Sequence, residues 1–272
     1  MRTQHDQAIG LANLITLEGR WEAHARRHTC LLCWNDGQSP VYQIADNGTC
    51  CLVKTRTRRI LVTCAHVWNG FEKFRKATKE AQLWISLVAD DQLSSPSFPR
   101  SLSKPQCLAK DDRLDLAIIT FDEIASLDAR RFCYLRPSSK PVVRKRDVVH
   151  FLGYPGNSIR EGRPGMILNY CYSSRTVHDV GHTQFVLHER VGAMHHTDRD
   201  GEPTAAIRAC GESGAPVFKV RPDFELELAG IVSMLCSSGL GSGVAEPYKM
   251  SDGDVYITHT CFIQDDGLLA SP

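Results

Sequence analysis

One short loop constrains this chain more than any other stretch: Gly211-Glu212-Ser213-Gly214-Ala215-Pro216, running into the apolar Val217-Phe218. Two glycines without Cβ atoms let the backbone turn sharply and leave the Ser213 hydroxyl unshielded. A serine hydroxyl is a weak nucleophile unless a base lies beside it. The base candidate is far upstream, His66 in Leu61-Val62-Thr63-Cys64-Ala65-His66-Val67. An acid candidate lies between them, Asp115 in Asp111-Asp112-Arg113-Leu114-Asp115-Leu116-Ala117-Ile118-Ile119. Asp115 follows His66 by 49 positions, and Ser213 follows Asp115 by 98. If the three act together, the fold must bring three distant segments to one point.

Their order separates hydrolase classes. Subtilisin-like enzymes run Asp, His, Ser, and α/β-hydrolases run Ser, Asp or Glu, His. Only the chymotrypsin order fits. Thr63-Cys64-Ala65-His66 looks like a T-A-A-H motif, Asp115-Leu116-Ala117 like D-[IL]-A, and Gly211-Glu212-Ser213-Gly214-Ala215-Pro216 like G-[DN]-S-G-[GA]-P. From residue 45 to residue 262 the chain resembles the chymotrypsin/trypsin-like serine peptidases, the clan that includes the bacterial HtrA-like enzymes. The resemblance implies an all-β fold of two six-stranded antiparallel β-barrels, here with an N-terminal helical extension. The implied organisation is an extension over residues 1–28, a first barrel over 29–135 carrying His66 and Asp115, and a second barrel over 136–272 carrying Ser213.

The resemblance also assigns roles. His66 takes the Ser213 proton and Asp115 orients the imidazole. Asp115 is preferred to Asp111 and Asp112 because the family's acid directly precedes Leu-Ala-Ile. The backbone N–H groups of Gly211 and Ser213 match the family's oxyanion donors. Ile207 stands at the matched base of the specificity pocket, and Ser233-Met234-Leu235 match the strand that pairs with substrate. These positions hold no acid, so an apolar or small substrate side chain is expected; Arg208 adjoins Ile207 and can point elsewhere, and Glu246, at the place of the family's later pocket strand, leaves an acidic pocket open. Glu212 departs from the family's Asp or Asn, and no activation site of the digestive-zymogen kind is evident.

With 272 residues, 42% of them hydrophobic and 23% charged, the chain can build a large core. A net charge of +1 points to neither nucleic acid nor membrane. The basic runs over residues 54–59 and 144–146 read as a solvated turn and linker. Residues 1–20 show no signal peptide and no apolar run spans a bilayer, so a cytoplasmic location is expected. The 11 cysteines read as reduced and mostly buried, including Cys30 and Cys33, whose C-x-x-C lacks a second pair at zinc spacing. His195 and His196 read as surface residues, and no metal or cofactor is expected.

Along the chain, residues 4–27 read as a helix, with apolar residues at a spacing of three to four. Strands are expected near Leu31, over residues 41–44, 50–53, 59–63, 82–88, 114–119, 148–153, 166–172, 183–188, 217–220, 228–233 and 255–258. Asn47-Gly48-Thr49 reads as a turn, residues 64–67 as a short helical turn, and 71–80 as an exposed helix or loop. Loops are expected over residues 91–105, 191–206 and 239–243, with a linker over 122–146.

The function expected from these residues is a serine endopeptidase acting on a specific intracellular protein, with a protein or peptide as substrate. A cytosolic protease without a pro-segment needs a restraint, such as an activating sensor protein in a stress or defence pathway. The alternative is a latent barrel used as a protein-binding module. An esterase would use the same chemistry, but the chain order and strand motifs disfavour it.

Overall fold

A computed structural model describes residues 4–39, 43–86, 99–136, 138–154, 159–162, 165–168, 170–187, 213–235 and 255–271. The chain opens with helix α1 (Gln4–His28) and continues through β1 (Thr29–Asn35), β2 (Asp46–Lys54), β3 (Arg59–Thr63) and helix α2 (Ala65–Ala77). Next come β4 (Gln82–Ser86), β5 (Pro99–Ser101), β6 (Gln106–Asp111), β7 (Leu116–Thr120), two 3-10 turns (Asp122–Ser126 and Ala129–Arg131) and β8 (Cys133–Tyr134). The second half runs β9 (Val148–Gly153), β10 (Ile159–Gly162), β11 (Gly165–Leu168), β12 (Cys171–Val180), β13 (Gln184–Leu187), β14 (Pro216–Val220), β15 (Leu226–Leu235) and β16 (Val255–His259). A last 3-10 turn is Thr260–Phe262.

The strands form two main sheets. The first has eight strands in the order β5-β4-β1-β2-β3-β7-β6, with β8 running parallel beside β2. Among the described residues no ladder joins β5 to β6. The second is a closed six-stranded barrel, β12-β13-β16-β15-β14-β9. Strands β10 and β11 pair only with each other.

Sequence explains much of this. Strands β1, β3 and β7, with Cys50–Val53 of β2, are nearly continuous apolar runs, and their residues are buried on both faces. The same core takes in Val67, Trp68 and Phe71 of α2 and reaches Leu152, Tyr154, Phe218 and Ile231 from the barrel strands and their margins. A separate cluster, with Phe151, Phe185, Val217, Val232 and Ile257, fills the barrel. Each buried Phe contributes about 2–3 kcal/mol of hydrophobic stabilisation. Helix α1 docks through Trp21, His24, Ala25 and His28, positions spaced to share one helix face. Trp21 lies against the His150 ring at 4.7 Å and donates to the Phe224 carbonyl at 3.0 Å.

Several sequence expectations change. Asn47-Gly48-Thr49 is not a turn but part of β2. Gly48 serves close approach instead, since a Cβ there would collide with the Val67 side chain of α2. Of the strand expected over 41–44, Gln43 lies in a bend and Ile44 is in no strand, while Val41 and Tyr42 lie outside the described residues. The short turn at His66 and the segment after it are one 13-residue helix, whose Val67, Trp68 and Phe71 are buried. Polar residues at 69, 72, 73, 75 and 76 disguise that apolar face in a linear reading. The expected strand over 166–172 splits into β11 and the start of β12. Arg144, Lys145 and Arg146 are exposed, as a solvated linker requires.

Candidate active site

His66 is the second residue of α2. The first backbone N–H groups of a helix have no partner within it, and a residue just before the helix commonly caps them. Here the preceding residue is Cys64, which makes no such cap, and the first turn holds no acid. Asp115 caps the helix from a distance. Its Oδ1 accepts the His66 backbone N–H at 3.0 Å, and its Oδ2 lies 2.8 Å from the imidazole Nδ1. A carboxylate can only accept, so Nδ1 carries a proton toward Asp115, and Nε2 is the ring nitrogen that does not bond to the acid. The positive end of the helix dipole favours the carboxylate at this place. The Asp115 side chain is 21% exposed and that of His66 is 54% exposed, so the acid is sheltered while the base faces outward.

The turn before β7 shapes the acid. Asp115 has φ of +51°, a left-handed conformation that aspartate tolerates better than most residues. Asp111 Oδ1 accepts the backbone N–H groups of Arg113 at 2.8 Å and Leu114 at 3.1 Å. Asp112 accepts a hydrogen bond from Asn69 Nδ2 of α2 at 3.0 Å and pairs with Lys110 at 3.3 Å. The two neighbouring acids thus build the turn and tie it to the histidine helix, and Asp115 alone among the three meets the imidazole.

Ser213 reaches the same place by shared anchors. Its carbonyl accepts the Thr49 N–H at 2.9 Å, and Thr49 O accepts the Thr63 hydroxyl at 2.7 Å. Gly214 N–H donates to Val232 O at 2.8 Å, and the Cys64 thiol donates to that same carbonyl at 2.9 Å. Thr49 and Val232 therefore hold both the serine turn and the segment that delivers His66. Gly214 has φ of +92°, and a Cβ on it would run into Thr49 O and Thr63 Oγ1. The glycine after the serine is required for the turn to sit this deep. Among the described residues no hydrogen bond joins the Ser213 hydroxyl to His66.

Sequence reading gave Cys64 no role. It is fully buried, and burial first, with the nearby Asp115 charge second, pushes its thiol well above the usual range. It therefore stays a protonated donor. Cys64, His66 and Asp115 are the one described trio able to offer donor atoms to a metal within 4.8 Å of one another. Those atoms are already directed at each other and at Val232 O, which makes the trio a hydrogen-bonded unit.

Of the expected substrate contacts, Ser233 is buried, and its hydroxyl is turned inward, donating to Tyr256 O at 3.0 Å and accepting from Gln184 at 3.1 Å. Only its backbone is left for a substrate strand. Met234 and Leu235 belong to β15 and pair with Tyr256 and Val255. Ile207, Arg208, Gly211, Glu212, His195, His196 and Glu246 lie outside the described residues. Cys30 and Cys33 are buried free thiols in β1.

A family model for the trypsin-like peptidase domain matches residues 48–224, a span that contains His66, Asp115 and Ser213. The chain belongs to the trypsin-like peptidase domain family. The solved structures similar to this chain include one titled crystal structure of Deg5, at 11% identity, covering 80% of this chain and 85% of that one with a TM-score of 0.47. No curated protein sequence matches. No described helix is long and apolar enough to cross a membrane.

Proposed function

We propose that this peptidase-family chain is a serine endopeptidase that cuts a specific intracellular protein through an acyl-enzyme. The observation that carries the reading is the Asp115-held His66 imidazole, half of its side chain exposed, on a segment that shares its anchors with the Ser213 turn. In this reading Ser213 Oγ attacks the scissile carbonyl and passes its proton to His66 Nε2. The imidazolium that forms is stabilised by Asp115, then protonates the leaving amine. The Gly211 and Ser213 N–H groups receive the oxyanion, each such donor contributing about 3 kcal/mol. Water attacks the acyl-serine by the same path in reverse. The eight-stranded sheet and residues 29–135 correspond to the first barrel of the two-barrel plan, residues 136–272 to the second, and residues 1–28 to an extension.

A second reading has support as well. The Ser213 hydroxyl makes no hydrogen bond to His66 among the described residues, which suits a site completed only when substrate or an activating sensor protein binds. Catalytic hydrogen bonds often tighten only in the productive complex. Labelling with a fluorophosphonate probe separates the two. Strong labelling of the wild type that vanishes in Ser213→Ala and His66→Ala supports a preassembled peptidase. A folded wild type that stays unlabelled, alone and with cell extract, overturns the peptidase reading in favour of a protein-binding barrel.

A further inference from the structure

The left-handed backbone of Asp115 is held from the other sheet. Thr258 lies on β16 of the barrel, 144 positions downstream of Leu114, and is fully buried. Its hydroxyl donates to the Leu114 carbonyl at 2.7 Å. That carbonyl shares a rigid peptide plane with the Asp115 N–H, so fixing its direction sets the plane from which Asp115 φ is measured. Asp111 Oδ1 holds the other side of Leu114 through its N–H. The Leu114 residue is pinned on both sides, and the next residue adopts φ of +51°.

Thr258 is itself held. Gln184 on β13 lies opposite it in register and donates to its Oγ1 at 3.3 Å. The same amide reaches Ser233 Oγ at 3.1 Å, and Ser233 donates to Tyr256 O on β16. The hydroxyl of Thr258 thus has one acceptor, Leu114 O, and one donor, Gln184. A rotamer change would forfeit both bonds inside a buried region, where an unpaired polar atom is costly.

We infer that Thr258 is a positioning residue for the proposed reaction: through the Leu114 carbonyl it keeps Asp115 turned toward the His66 imidazole, so the barrel sets the geometry of an acid carried by the first sheet. The inference rests on the reading of Asp115 as the residue that orients His66. Thr258→Val keeps the side-chain shape, removes the donor and leaves Leu114 O buried and unpaired. The peptide then relaxes and the carboxylate leaves the imidazole.

The test uses the full chain with two readouts. One is the second-order rate of fluorophosphonate labelling at Ser213. The other is the far-downfield proton resonance of His66 Nδ1–H, which depends on its hydrogen bond to Asp115. Thr258→Val is expected to slow labelling about tenfold or more and to abolish or shift the resonance upfield. Thr258→Ser, which restores the donor, is expected to rescue both. A folded Thr258→Val protein with wild-type labelling and an unmoved resonance overturns the inference. If Thr258→Val does not fold, Thr258→Cys keeps a weak donor at the same place and is expected to be intermediate in both readouts; wild-type values there overturn the inference equally. If the wild type is not labelled at all, the peptidase reading fails on its own account, and the resonance still decides the role of Thr258.

Discussion

Gly214 shows how much can rest on one residue. Its φ of +92° and the backbone oxygen standing where a Cβ would go leave no room for relaxation. Gly214→Ala must either rebuild the turn or displace Thr49, a strand residue with no exposed surface. We expect a loss of about 3 kcal/mol or more and near-complete loss of fluorophosphonate labelling, checked by urea unfolding and gel fluorescence. Unchanged stability would show that the serine turn does not sit on Thr49 as described. This residue was legible in the sequence, because a glycine directly after a candidate nucleophile requires a reason. Cys64 and Thr258 were not legible. Each acts through a single bond to a backbone carbonyl far along the chain, and a carbonyl leaves no trace in a sequence.

At the scale of elements, α2 has two ends with different duties. Its N-terminus presents His66, and its middle buries Val67, Trp68 and Phe71 against the first sheet. Phe71 is 1% exposed and packs against Trp34 and Trp68. Phe71→Ala is expected to cost about 3–5 kcal/mol and to lower labelling as well, because the helix that carries His66 loses its seat. Thermal unfolding and labelling of the same preparation check this; full labelling at reduced stability would show that His66 is placed by Asp115 alone. Strand positions were mostly readable, since continuous apolar runs between turn signals have few other uses. The extent of α2 was not, because its apolar residues are outnumbered by the charges of its outer face.

For the whole molecule, the seating of α1 depends on buried imidazoles. Burial lowers His24, His28 and His150 to about 4; the Arg27 charge adds to this at His24, and His24 and Arg27 among other charges add to it at His28. All three lie where α1 meets the barrel: His24 and His28 face Phe218, and His150 is covered by Trp21 and bonded to the Tyr172 hydroxyl at 2.7 Å. Unfolded histidine binds its proton near pH 6.5, so between about 6.5 and 4 the unfolded chain holds more protons than the folded one. Stability is therefore whole above about pH 6.5 and falls as the pH drops toward 4. His150→Phe removes one of these groups and is expected to flatten that acid limb, read from urea midpoints at pH 7.5, 5.5 and 4.5 against the wild type. An equal slope in the variant would show that the loss comes from other groups.

The sequence alone determined which residue types stand at the candidate site and in what order, because the loop of a proposed nucleophile, a proposed base and a proposed acid each leave a short local motif. It also determined that the chain is mostly strands and that residues 4–27 are helical, since those rest on local periodicity. The tertiary structure decided what joins those motifs. It sets the serine turn and the histidine segment on the same Thr49 and Val232, caps α2 with an acid 49 positions away, and holds that acid's backbone by a threonine from the barrel. It also decided that the described first-sheet ladders stay open while the barrel strands close. Such links depend on register and on the direction of single hydrogen bonds between remote segments, and neither is written in a local pattern of side chains.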